Sequence, residues 1–269
     1  MVVAPIGQAV RVPDPLDPLL ADLADEHAAL DVVVAPLPPE RWDLATPAPG
    51  WAVRHQIGHL TYFDEQAALA RVDPAAYEAG RDAALADRAS FDTAGPYAHL
   101  AAADLLARWR RSRADLGTAF AGADPKDRLP WYGPPMSARS FLTARLMEAW
   151  AHGVDVTDAL GLPPEASDRL QHVAHLGVVT RGWSYAVHGA EVPPGDVHVT
   201  LVGPSGAVWT WGDPAAPDSI DGPALDFCLV VTQRRALADV ALVVTGAAAT
   251  GWLAVAQAFA GGATTVHRA

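Results

Sequence analysis

The sequence predicts an α+β protein, a four-helix bundle followed by a small α+β unit, on three observations. Long segments of the first two thirds repeat apolar residues at the three- and four-residue spacing of a helix face. Prolines fall between those segments or in a first turn, not in their interiors. After Gly189 the pattern changes to polar–apolar alternation, the two-residue period of a half-buried strand.

The first helix is expected from Asp17, as N-cap, to about residue 35. Pro18 stands in its first turn, where a missing N–H costs nothing, and Pro36, Pro38 and Pro39 stop it. The second covers 51–70 and ends before Asp73-Pro74. A third spans about 97–120, with Leu100, Leu105, Leu106, Trp109, Leu116 and Phe120 on one broad stripe. The fourth runs from about 138 to 160, between Ser137 as N-cap and Gly161 as C-cap. Another helix covers 167–186, and 71–96 and 121–137 read as long connections. Downstream, Asp196–Val202 and Ala207–Trp211 flank the turn Gly203-Pro-Ser-Gly206, a β-hairpin pattern. A helix over 223–233, a strand over 240–245 and a helix over 247–260 complete the reading. Domains are expected at 1–188 and 189–269.

Composition narrows the function. With 51% hydrophobic and 19% charged residues, the 269-residue chain is not disordered. Its net charge of −12 has the wrong sign for coating nucleic acid or an anionic membrane. A single cysteine, Cys228, excludes an internal disulfide framework and a cysteine-rich zinc site. A metal here must be held by His and carboxylate. The N-terminal fifteen residues lack a signal-peptide pattern, and no apolar run approaches a membrane span, so a cytoplasmic monomer or homodimer is expected.

Arg145, Glu148, His152 and Asp155 follow one another at steps of three, four and three, along one stripe of the fourth helix. His55 and His59 repeat the four-residue step on the second. Such pairs serve as ordinary ion pairs or as metal ligands. Strongly apolar flanks, including Trp51, Phe63, Phe141 and Trp150, favour paired or metal-bound groups.

The stretch Trp51-Ala-Val-Arg-His-Gln-Ile-Gly-His59-Leu, followed by Arg145-Leu-Met-Glu148-Ala-Trp-Ala-His152-Gly-Val-Asp155, resembles the DinB-like superfamily. More closely it resembles the mycothiol-dependent maleylpyruvate isomerase branch and its actinobacterial metal-binding relatives. The likeness extends to Gly203-Pro-Ser-Gly206, Trp209-x-Trp211 and Asp226-Phe-Cys-Leu229. It implies a DinB-like bundle with His59, Glu148 and His152 as ligands of a divalent metal. Zn²⁺ suits two His and one Glu with open positions, and Ni²⁺, Fe²⁺ or Mn²⁺ fit the same donors. It also implies mycothiol as co-substrate, with isomerisation or S-transfer on a small conjugated or anionic substrate. A thiol-independent hydrolase, lyase or cyclase, and a non-enzymatic binder of small ligands, remain as alternatives.

The remaining candidates carry two readings each. His55 departs from the family pattern, which has an ordinary polar residue there; it supports the ligands from behind, is a fourth ligand or a general base, or else packs at the surface or in the core. Asp155 orients an imidazole or is solvated. Arg145 and Arg234 hold an anionic substrate, or pair with acids and end a helix. Trp131 and Tyr132 lid a pocket or plug the core.

Overall fold

The computed structural model describes residues 16–86 and 96–264. The N-terminal stretch read for a signal peptide therefore lies outside the described residues.

Four long helices make the bundle: α1 (Asp17–Val34), α2 (Val53–Val72), α4 (Ala102–Phe120) and α5 (Ala138–Leu160). The shorter α3 (Pro74–Ala86) packs on α2. α2 lies against α4 and α5, and α1 against α5 and α4. Leu16, not Asp17, is the N-cap of α1, so Asp17 sits in the first turn, where its charge faces the positive end of the helix dipole. α5 is bounded as expected: Ser137 Oγ accepts from Ser140 N–H at 3.1 Å, and Gly161 closes the helix in the left-handed region. The connection expected over 71–96 contains α3, and that over 121–137 contains a small hairpin, β1 (Arg128–Leu129) with β2 (Met136–Ser137).

The helix expected over 167–186 is two, α6 (Leu170–Val179) and α7 (Arg181–Val187). Beyond them β3 (Val197–Val202) and β4 (Val208–Trp211) form the expected antiparallel hairpin. β5 (Asp218–Pro223) was not foreseen and runs parallel to β3. α8 (Ala224–Val231), β6 (Val243–Thr245) and α9 (Ala247–Val255) follow, and the sheet order is β4-β3-β5-β6. α9 stops five residues short of its expected end.

One buried apolar cluster runs from α1 and α5 through α6 into β3, α8 and α9. The close approach of α6 to α8 depends on Gly177, where a Cβ would lie 2.8 Å from Val231 Cγ2. After α8, Gln233 takes a left-handed backbone (φ 60°), which turns the chain so that Arg234 meets α5. A second cluster, including Leu30, Trp42, Ile57, Leu60 and Trp109, fills the rest of the bundle. Among the described residues no helix is long and apolar enough to cross a membrane.

Candidate metal centre

α2 and α5 bring His59, Glu148 and His152 together. His152 Nε2 lies 3.0 Å from Glu148 Oε2, and His59 Nε2 lies 3.8 Å from the same oxygen. One donor atom from each residue falls within 4.8 Å of the others. Atoms that share one Zn²⁺ at about 2.0–2.2 Å stand roughly 3–3.6 Å apart, so a small closure suits a divalent ion. The donor set, two imidazole nitrogens and a carboxylate, fits as well. His152 is buried, while His59 and Glu148 are partly exposed, which opens the group on one side. Among the described residues no second group of His, Cys, Asp and Glu converges in this way.

The charges support the same arrangement. Burial opposes ionisation of Glu148, but the imidazoles of His152 and His59 beside it outweigh that effect and hold the carboxyl well below its usual range. Burial, with His59 beside it, lowers His152 to about 4, so its ring is neutral at pH 7.

The far side of His152 is equally built. Its Nδ1 lies 2.5 Å from Gln56 Oε1 and 3.7 Å from Asp155 Oδ2. Asp155 is fully buried and accepts from Arg234 Nη2 at 2.9 Å; Arg234 also donates to the Ala151 carbonyl. Arg145, one turn before Glu148, donates twice to Asp64 Oδ1, at 2.9 and 3.0 Å, in a buried pair. His55 faces its own helix start, where Nδ1 accepts from Ala52 N–H at 2.9 Å and satisfies one of the orphan donors there.

Aromatic rings frame the open side. Trp51 stacks on His152 (centroids 5.8 Å, planes 8° apart) and touches His59 at 5.2 Å. Phe63 lies 4.6 Å from His59 and contacts Trp131 and Tyr132 at 5.9 and 5.6 Å. The two loop aromatics thus reach the triad through Phe63. Trp131 stacks on Tyr77 at 5.6 Å, and the Tyr132 hydroxyl lies 3.0 Å from that of Tyr62. Burial pushes the Tyr132 phenol up, which keeps it protonated. Cys228 is fully buried, donates to the Leu170 carbonyl at 3.6 Å, and has its thiol pushed well up by burial.

Of the sequence candidates, the structure brings His59, Glu148, His152 and Asp155 to one place. It sets Trp131 and Tyr132 one ring away and binds Arg145, Arg234 and His55 to other protein groups. Gln56 and Asp64 were missed. Both are polar residues buried on α2, and their only sequence signal is polarity on an otherwise apolar face.

Residues 23–157 match the family model of the mycothiol maleylpyruvate isomerase N-terminal domain. Two uncharacterized proteins from strains of Mycobacterium tuberculosis are each 46% identical over 246 residues, covering 91% of this chain and 96% of theirs. The solved structure of the mycothiol-dependent maleylpyruvate isomerase shares the fold at 17% identity and a TM-score of 0.52, over 82% of this chain and 90% of that one. A mutant of that isomerase superposes with a TM-score of 0.51 at 16% identity, over 80% and 88%. With half its length matched by the family model, the chain belongs to the family defined by the mycothiol maleylpyruvate isomerase N-terminal domain.

Proposed function

We propose that the chain is a divalent-metal-dependent enzyme that uses mycothiol as co-substrate to isomerise a small conjugated or anionic substrate, or to join the thiol to it through sulfur. The observation that carries this reading is the convergence of His59, Glu148 and His152 on one point beside a partly open, aromatic-framed face. Zn²⁺ is the ion that two imidazoles and one carboxylate suit best. A bound divalent ion supplies Lewis acidity, which lowers the pKa of a thiol or water beside it.

The chain's own residues account for the rest. Its single thiol, Cys228, is buried in the core, so a nucleophilic sulfur has to come from outside. Trp51 and Phe63 present apolar faces that exclude water and match a flat, conjugated substrate. The protonated Tyr132 hydroxyl, with Tyr62, offers the hydrogen bonds with which such a substrate is oriented. In this reading Arg145 ties α5 to α2 and Arg234 ties the chain after α8 to α5, each through a buried acid, and His55 caps α2.

Elemental mass spectrometry on untagged protein and on His152→Ala tests the first half. Stoichiometric metal in the wild type, lost from a folded variant, is the expected result; no metal in either overturns the reading. Turnover that survives complete removal of low-molecular-weight thiols overturns the second half alone.

A further inference from the structure

His152 has two nitrogens, and only one can face the triad with a lone pair. The hydrogen-bond chain behind it settles which. Thr46 Oγ1 donates its single hydrogen to the Trp51 carbonyl, at 3.0 Å. That hydroxyl is then an acceptor for Gln56, whose Nε2 donates to it at 2.8 Å. With the amide nitrogen spent on Thr46, the amide oxygen points at His152 Nδ1, 2.5 Å away. A carbonyl oxygen only accepts, so Nδ1 must carry the hydrogen. The lone pair is left on Nε2, 3.0 Å from Glu148 Oε2.

We propose that Gln56, oriented by Thr46, is a positioning residue that fixes the Nδ1–H tautomer of His152 and thereby sets the affinity of the triad for a divalent cation. Gln56 is fully buried, so its amide has no water to turn toward. A neutral Nε2 and a carboxylate oxygen at 3.0 Å, with no hydrogen between them, repel each other until a cation lies between. The device therefore pre-orders the ligand and disfavours the metal-free arrangement. Polar groups behind a ligand imidazole act in this way on metal affinity. The tautomer half of the proposal stands by itself; the affinity half rests on the metal reading above.

The test has two readouts. Long-range ¹H–¹⁵N correlation on metal-free protein at pH 7, assigned through His152→Ala, reports the tautomer directly. Zn²⁺ affinity follows from competition with a chromophoric chelator. The wild type is expected to show Nδ1–H. Gln56→Met, which keeps the volume and loses the acceptor, should give the Nε2–H form or a mixture and bind Zn²⁺ about 10–100-fold more weakly. Thr46→Val, which leaves Gln56 in place and frees its amide to turn, should move both readouts in the same direction. An Nε2–H tautomer in the wild type overturns the proposal, as does unchanged Zn²⁺ affinity in a Gln56→Met protein whose tautomer has changed. Wild-type protein that takes up no Zn²⁺ sinks the metal reading, while the tautomer measurement still decides the role of Gln56.

Discussion

Arg234 Nη2 lies 2.9 Å from Asp155 Oδ2, and through that bond a residue following α8 grips the helix that carries Glu148 and His152. Both partners are buried, Arg234 at 4% exposure and Asp155 at 0%. Removing one partner of such a pair leaves an uncompensated buried charge. Arg234→Ala should therefore lose about 3–5 kcal/mol in urea unfolding of the metal-free protein. Arg234→Lys should recover little, because a lysine cannot reach the Ala151 carbonyl and Asp155 together. Unchanged stability with a raised KM would instead make Arg234 a substrate contact.

Arg145 and Asp64 form a second buried pair, between α5 and α2. Asp64→Leu alone should cost about 3–5 kcal/mol, whereas adding Arg145→Met should restore a large part of it. A double-mutant cycle by chemical denaturation reads the coupling, and simple additivity would refute a functional pair.

His27 is buried beside Asp64, Arg145, Arg113 and Trp109, and burial lowers it to about 4. The folded protein resists the proton that the unfolded chain takes up near 6.5. The stabilising effect is complete above pH 6.5 and falls as pH drops towards 4, by roughly 3 kcal/mol in all. His27→Gln should flatten that part of the stability–pH curve. A curve as steep as the wild type's would assign the acid sensitivity to other groups.

Trp51 stacks on the ring of His152, so its fluorescence should respond to whatever binds there. Titration with Co²⁺ should quench part of the emission of the nine tryptophans, and Trp51→Phe should abolish most of that change. Quenching of equal size in the variant would place the ion elsewhere.

Gly177→Ala would push a methyl to 2.8 Å from Val231 Cγ2 and 3.0 Å from Phe227 Cε1. Overpacking of this kind costs about 1–3 kcal/mol. Thermal unfolding should register it, and a neutral result would mean that α6 and α8 separate freely.

The Glu148–His152 pair was legible in the sequence because the two are one helical turn apart, a spacing that needs no tertiary knowledge, whereas His59 was added by the family resemblance. Gln56 was not, since its partner lies on another helix. Asp73-Pro74 was read as a stop, yet it also starts α3: Asp73 Oδ1 accepts from Ala76 N–H at 3.0 Å, and a proline fits a first turn. β5 carries the turn-like Asp-Ser-Ile-Asp-Gly-Pro and becomes a strand because β3 and β6 lie on either side of it. The break between α6 and α7 falls at Thr180, whose hydroxyl donates back to the Leu176 and Gly177 carbonyls. Gln56 and β5 are thus completed by distant neighbours, whereas the start of α3 and the break at Thr180 are local signals.

The burial of Cys228 keeps the chain's own sulfur out of thiol–disulfide exchange. Exchange with a disulfide requires an accessible thiolate, and this sulfur lies sealed between α6 and α8 with its proton held by the Leu170 carbonyl. A mixed disulfide with an external disulfide could form only after those helices part. An external thiol and its disulfide, even at high concentration, would therefore leave Cys228 reduced and unmodified in the folded chain.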